Sequence, residues 1–332
     1  MKSVTVTGGA GFIGSHLVDL LVRENYRVRV IDDLSNGRME NIRGHLENGT
    51  IEFHKIDLSR YDLLEEVESI VRGCTYVFHL AALADIVPSI QHPVKYHKAN
   101  IDGTVNILEA VRRNSIEKFV YTASSSCYGV PDVYPTPETA PVNPEYPYAL
   151  TKYLGEQYAL HWHKIYNLPV VSLRLFNVYG PRARTSGTYG AVFGVFLAQK
   201  LNNKPLTVVG DGTQTRDFTF VTDIVEGFYL AAKSDLSGEI INLGSGNTTS
   251  VSRLTELLGG EVIHIPKRPG EPACTFADNA KAARLLGYKP KVSFEEGVGI
   301  MLEHIEDWRQ APVWTPDAID TATKDWFKYL SR

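Results

Sequence analysis

The sequence predicts an α/β fold: a doubly wound parallel sheet joined to a smaller C-terminal α/β part. Short apolar runs alternate with helical stretches through the first half of the chain, and such alternation builds parallel strands covered by helices on both faces. A glycine-rich turn, Gly8-Gly9-Ala10-Gly11-Phe12-Ile13-Gly14, lies between the first strand and the first helix, which makes the sheet Rossmann-type. A length of 332 residues, 43% hydrophobic and 22% charged, suffices for one large domain or two ordinary ones.

Each element follows in order. Residues 4–7 are Val-Thr-Val-Thr, a β-branched buried strand, and 12–23 carry helical apolar spacing. Residues 27–31 form a second strand ending at Asp32-Asp33, and 50–55 a third. A helix over 63–71 leads to a strand over 76–80, and a helix over 94–113 to a strand over 118–121, which runs into Ser124-Ser125-Ser126. Residues 129–147 hold Pro131, Pro135, Pro137, Pro141, Pro144 and Pro147, a stiff irregular loop whose last proline suits the first position of a helix. That helix carries Tyr148 and Lys152, and a loop of such length is usually functional. A strand over 170–174 follows, after which the alternation loosens and glycine breaks the apolar runs.

Composition bounds the function. The longest apolar runs, such as 193–198, fall well short of a membrane span, and the first strand starts too early to leave room for a signal peptide. Cys74, Cys127 and Cys274 show neither metal spacing nor a disulfide framework, which fits a reducing cytoplasm. A net charge of −4 with no basic block argues against a nucleic-acid partner. The expectation is a cytoplasmic, enzyme-like chain with no metal, no membrane and no nucleic acid.

Gly8, Gly11 and Gly14 supply a tight turn, a close backbone approach to a pyrophosphate, and amides at a helix N-terminus aimed at negative charge. Asp32 lies where a carboxylate accepts from ribose hydroxyls and repels a 2′-phosphate; Asp33 doubles that preference, so NAD is favoured over NADP. Tyr148 and Lys152, four apart, share one helical face, so an ammonium beside a phenol should lower the phenol's pKa. Ser124 brings a hydroxyl to the same sheet edge. Together the three supply what hydride exchange at a carbinol carbon requires.

Other residues read more plainly. His161 and His163 lie on different sides of a helix, which disfavours a shared metal, and His79 in an apolar strand reads as a satisfied core group. Cys127 reads as packing. Arg216, after the glycine turn 210–212, suits an ordinary salt bridge and a diphosphate about equally.

The ordered motifs resemble the extended short-chain dehydrogenase/reductase family, within it the nucleotide-sugar epimerase/dehydratase group. The markers are residues 7–14, Asp57-Leu58, His79-Leu80-Ala81-Ala82, Ser124 to Gly129, Tyr148 to Lys152, residues 173–182, Arg216-Asp217-Phe218 and Arg268-Pro269-Gly270-Glu271. The resemblance implies NAD contacts at Gly8, Gly11, Phe12, Ile13, Asp32, Asp33, Asn36, Leu80, Ala81 and Ala82, and at Tyr148 and Lys152 themselves. It places Asp57 and Leu58 at the adenine and Asn100 near the cofactor and active site. For the substrate it implies Asn177 and Arg216 at the diphosphate. Ala191, Val192 and Phe193 with Leu206 and Val208 would line the uridine site, and Arg268 and Glu271 would finish the phosphate and ribose contacts.

The family's 4,6-dehydratases carry Thr-Asp-Glu where this chain has Ser124, Ser125 and Ser126, and its decarboxylases carry a Glu at the third position. With no carboxyl there, this chain resembles a 4-epimerase of a UDP-sugar. Tyr148 would remove the 4-hydroxyl proton, the C4 hydride would pass to NAD, and the 4-keto sugar would swing and take it back on the other face. By the same resemblance, the position of Thr275 gates the 2-substituent. Its small side chain points to UDP-N-acetylglucosamine/galactosamine, with UDP-glucose/galactose also open and UDP-glucuronic acid, or a dehydratase or reductase, as alternatives. A non-catalytic NAD-binding sensor is the reading from a different class.

The resemblance also implies a division of the chain: residues 1–175, with about 214–246 returning to them, hold NAD, while 176–213 and 247–310 hold the nucleotide sugar. It implies a homodimer through the helices after Pro93 and around Tyr148. Ala84 stands where some hexose epimerases carry a lysine. The tail 311–332, with Trp314, Trp326, Phe327 and Tyr329, reads as a docked helix over the substrate part or, alternatively, as a partner contact.

Overall fold

The computed structural model describes residues 1–183 and 191–331. The chain opens with β1 (Ser3–Thr7), α1 (Phe12–Arg23), β2 (Arg27–Asp32), α2 (Arg43–Glu47), β3 (Ile51–Lys55), α3 (Leu64–Val71) and β4 (Cys74–His79). It continues through α4 (Ile86–Gln91), α5 (Pro93–His97), α6 (Gly103–Arg112), β5 (Lys118–Ser124), α7 (Pro147–Tyr166) and β6 (Val170–Leu175). Next come β7 (Val178–Tyr179), α8 (Val192–Leu201), β8 (Leu206–Val209), β9 (Thr215–Arg216), β10 (Thr219–Phe220), α9 (Val221–Lys233) and β11 (Glu239–Leu243). The last elements are β12 (Thr249–Ser250), α10 (Val251–Leu258), β13 (Val262–Ile265), α11 (Ala280–Leu286), α12 (Phe294–Glu303) and α13 (Pro316–Leu330).

Seven strands pair in the order β3-β2-β1-β4-β5-β6-β11, all parallel. Strand side chains alternate between two helix-covered faces. Val120 of β5 joins the core beneath α1 and α9, while Phe119 and Tyr121 join the core beneath α3 and α6. Strand order reverses between β1 and β4, the point where ligands of open α/β sheets collect. β11 arrives late in the sequence and pairs with β6, so the chain returns to the sheet after the excursion through α8 and β8.

A third core belongs to the C-terminal elements and joins Phe193, Leu206, Val208, Leu254, Met301, Trp308 and Ile319. The proline-rich loop crosses to this region through Thr136, which bridges to Ala277. α13 begins with Thr315 capping the Ala318 amide and Pro316 at the first turn, and it packs against α4. Among the described residues no helix is long and apolar enough to cross a membrane.

The helix expected over 94–113 is interrupted. A π-helical turn, Lys98–Asp102, separates α5 from α6. The wider turn keeps helical hydrogen bonding while inserting a residue, so the sequence periodicity gives no break signal. Asn100 sits inside it, buried.

Candidate active site

A cavity of ≈ 1110 Å³ opens along the carboxyl edge of the sheet, lined by Gly8, Leu80, Ser124 and Leu175 at the strand ends. It exceeds the roughly 300–1,000 Å³ of a site for one drug-sized ligand.

At one end α1 starts on Gly11, with no side-chain cap and no acidic residue in its first turn. The Gly11 amide donates to the Gly8 carbonyl, while Phe12, Ile13 and Gly14 line the cavity with the first-turn amides left for an anion. Gly8 has φ +70°, and a Cβ there would lie 2.7 Å from the Ala81 nitrogen. A Cβ on Gly14 would lie 2.1 Å from the Gly8 carbonyl oxygen. Only glycine packs at either position.

Asp32 ends β2, buried, and its oxygens accept from the Ala10 and Leu34 amides at 3.0 and 2.8 Å. Burial pushes its carboxyl up, opposed by those two donors. Asp33, Asn36, Asp57, Leu58, Leu80, Ala81 and Ala82 complete this wall. A buried hydroxyl–imidazole chain fixes Leu80 and Ala81. Thr104 donates to the Asn100 carbonyl, so its oxygen accepts from His79 Nε2, leaving Nδ1 to accept from Thr7. Thr7 Oγ1 in turn accepts from the Leu80 and Ala81 amides. His79 is thereby a satisfied, neutral core group, held down to about 3 by burial and then by the Lys152 charge.

Tyr148 and Lys152 line the middle of the cavity on the first turns of α7, which starts on Pro147. Opposite them, Ser124 ends β5. Its oxygen accepts from the Ser126 hydroxyl at 2.8 Å and from the Ser126 amide at 3.2 Å. Its own proton is left to donate, and donation to Tyr148 favours the phenolate. The Lys152 ammonium lies 4.6 Å from the Tyr121 ring centroid, and Tyr121 Oη donates to the Lys152 carbonyl. One turn further on, Glu156 is buried and accepts from Ser172 and from Arg174 Nε and Nη2. Burial pulls Lys152 down to about 7, with Glu156 opposing.

The expected lowering of the Tyr148 phenol is not what this cavity gives. Its pKa is raised, by burial first, with the Ser124 hydrogen bond lowering and the Asp85 carboxylate raising. Spacing on a helix reveals a neighbour but not the loss of water around the pair. Tyr146 stacks on Tyr148, with centroids 6.4 Å apart, and also lines the cavity.

At the far end Asn177, Ala191, Val192, Phe193, Arg216, Arg268, Glu271 and Thr275 all line the cavity, as do Ser125 and Ser126 nearer the middle. Arg216 Nη2 pairs with Glu271 Oε1 at 2.8 Å, and Arg268 Nη1 stands 3.8 Å from Glu271 Oε2. Two guanidinium groups share one carboxylate, which leaves net positive charge in a mostly buried place. Thr275 Oγ1 accepts from the Asp217 amide and donates to Asn177 Oδ1 at 2.6 Å, turning the Asn177 amide NH₂ outward. Asp217, fully buried, accepts from Thr219, Ser245 and the Ala277 amide and so anchors the loop beneath Arg216.

Three expected contacts fall elsewhere. Leu206 and Val208 point into the C-terminal core, while Thr207 and Val209, on the other face of β8, line the cavity. Strand alternation is the reason, and it would have named the pair once the core face was known. Asn100 does not reach the cavity. Its amide accepts from the Leu83 amide and donates to the Leu83 carbonyl and Thr151 Oγ1, tying the loop after β4 to α7. Trp314 and Trp326, expected only as part of a tail docked over the substrate part, reach the cavity wall together with Trp308 and Pro312, which sequence reasoning missed. Cys127 is buried with its thiol pushed up to about 12 by burial, as packing requires. Among the described residues no cluster of His, Cys, Asp or Glu has the makings of a metal site.

Comparison with known proteins places the chain among sequences and folds of one kind. Residues 4–244 match the model of the NAD dependent epimerase/dehydratase family. The UDP-glucose 4-epimerase of Mycolicibacterium smegmatis is 37% identical over 316 residues, covering 92% of this chain and 99% of that one. The structure of UDP-N-acetylglucosamine 4-epimerase from Methanobrevibacter ruminantium M1, in complex with UDP-N-acetylmuramic acid, superposes with a TM-score of 0.86 at 35% identity, covering 92% of this chain and 98% of that chain. That of UDP-glucuronic acid 4-epimerase from Bacillus cereus, in complex with UDP-glucuronic acid and NAD, gives 0.84 at 34% identity over 92% and 99%.

Proposed function

The chain belongs to the NAD dependent epimerase/dehydratase family, and we propose that it is a UDP-sugar 4-epimerase working with bound NAD. The observation that carries the reading is Ser124-Ser125-Ser126 at the end of β5, facing Tyr148 and Lys152. These positions offer hydroxyls and no carboxyl group, so the site moves a proton at a sugar oxygen rather than eliminating water. Similarity to named 4-epimerases over nearly the whole chain supports it.

NAD would supply the acceptor and donor of the C4 hydride, held by Gly8, Gly11, Phe12, Ile13, Asp32, Asp33, Asn36, Asp57, Leu58 and the Leu80, Ala81, Ala82 loop. The glycine cradle at α1 and the buried Asp32 carboxylate fit such a group. Tyr148 takes the proton of the sugar 4-hydroxyl and later returns it. Ser124 donates to the phenolate or to the sugar oxygen, and Lys152, on the same helix face, would add positive charge in its protonated form. Asn177, Arg216, Arg268 and Glu271 hold the diphosphate and ribose, so the sugar turns about a fixed anchor.

The substrates proposed first are UDP-N-acetylglucosamine/galactosamine and UDP-glucose/galactose, because Thr275 is small. Similarity to the Bacillus cereus enzyme supports UDP-glucuronic acid as a second reading. Residues 1–175 with about 214–246 would serve NAD, and 176–213 with 247–310 the nucleotide sugar. A homodimer would bury Val94 on α5 and Leu150, Tyr158, Ile165 and Tyr166 on α7, all exposed in the single chain. The cytoplasm suits its free cysteines.

Proton NMR of purified protein with UDP-N-acetylglucosamine, without added NAD, tests the proposal. Appearance of the C4 epimer supports epimerisation, retained NAD and acceptance of the acetamido group together. An unchanged spectrum, also after adding NAD and with UDP-glucose and UDP-glucuronic acid in turn, refutes it.

A further inference from the structure

The loop that carries Arg268 and Glu271 has no regular secondary structure, and Gly270 within it has φ +69°. Two supports hold it. From inside, Arg216 pairs with Glu271. Along the same wall, Trp326 of α13 lies buried against it, its indole N–H donating to the Pro269 carbonyl at 2.7 Å. The same ring lies under the Arg268 guanidinium, 5.3 Å from centroid to Cζ.

α13 reaches further than this loop. Asp325, the neighbour of Trp326, accepts from Gln91 Nε2 at 2.8 Å, and α13 packs on α4, whose Ile86 and Val87 line the cavity. At the other end, Trp314 accepts through its carbonyl from Gln199, whose amide also holds the backbone and hydroxyl of Thr207 in the cavity wall. The C-terminal segment thus holds α4, the 268–271 loop and, through Gln199 of α8, Thr207 in the cavity wall.

We infer that α13 is a strap across the cavity, and that Trp326 is a positioning residue that sets the Arg268 guanidinium toward the substrate diphosphate. The ring face restricts the guanidinium to one plane, and the bond to Pro269 fixes the backbone beside it. Without Trp326 a long, flexible side chain would have to be ordered at each binding event. The inference rests on the nucleotide-sugar reading of the site.

The test is calorimetric titration of UDP into wild type, Trp326→Ala and Trp326→Phe, alongside kcat and KM for the sugar nucleotide and the content of bound NAD. Trp326→Ala should weaken UDP about tenfold and raise KM alike, with kcat within about twofold and bound NAD unchanged. Phenylalanine keeps a ring face but not the N–H, so Trp326→Phe should recover most of the affinity and lose about threefold. A purely structural role would lower kcat, NAD content and UDP affinity in step, and that result overturns the inference. So does unchanged UDP affinity in Trp326→Ala. Should Trp326→Ala fail to fold, Trp326→Phe decides: weaker UDP binding at unchanged kcat supports positioning, and equal binding refutes it. Failure of wild type itself to bind UDP removes the nucleotide-sugar reading and this inference with it.

Discussion

Replacing Lys152 by methionine should stabilise the cofactor-free chain below neutral pH. Lys152 is 4% exposed, and burial lowers its pKa from 10.5 to about 7. Below about pH 7 both the folded and unfolded chains carry the proton, so the folded state bears the full cost of the buried charge. Between about 7 and 10.5 the folded chain has shed the proton while the unfolded chain keeps it, so stability rises with pH and the cost fades. At about 1.4 kcal/mol per pH unit the lowering corresponds to about 5 kcal/mol. Local relaxation and water entry reduce this, so a gain of about 2–4 kcal/mol is expected from a methionine of similar length. Urea unfolding of NAD-stripped wild type and Lys152→Met at pH 6 and pH 10 measures it. The gap should be widest at pH 6 and nearly closed at pH 10. A variant no more stable than wild type at pH 6, or a gap independent of pH, would mean that the buried Lys152 charge carries no such cost.

Three further outcomes are expected. Gly14→Ala places a Cβ 2.1 Å from the Gly8 oxygen, so the turn must shift; the purified variant should lack bound NAD, read from its absorbance spectrum, and melt at lower temperature. Glu156→Ala strips the partner from Arg174, whose side chain is 3% exposed, and should cost about 3–5 kcal/mol in denaturant unfolding. Thr275→Tyr removes the bond that orients Asn177 and adds bulk to the wall; kcat/KM for UDP-N-acetylglucosamine relative to UDP-glucose should fall at least about tenfold.

The parallel sheet and its nucleotide turn were legible because they obey local rules. The glycine spacing, the acidic end of β2 and the proline before Tyr148 each need only neighbouring residues to be read. The π turn at Lys98–Asp102 was not, since an inserted residue leaves the apolar pattern of a long helix nearly intact. The resemblance points to Leu206 and Val208, but Thr207 and Val209 line the cavity; alternation pairs them correctly, while which face is core depends on distant α10 and Trp308. Asn100 looks like a cavity residue in sequence and is a brace in space, for the same reason. The direction of the Tyr148 pKa needed the burial of the whole helix start. The tail was expected to dock, but Trp326 finds Pro269 and Asp325 finds Gln91 only through the tertiary fold.

In the proposed reaction a hydrogen leaves C4 and returns to C4 of the same sugar, while Tyr148 handles only the hydroxyl proton. Incubating the protein with a UDP-sugar deuterated at C4, in ordinary water, and following the epimer by mass spectrometry reads this out. The epimer should keep its deuterium in full. Loss of the deuterium to solvent, or a dehydrated product, would rule the reaction out.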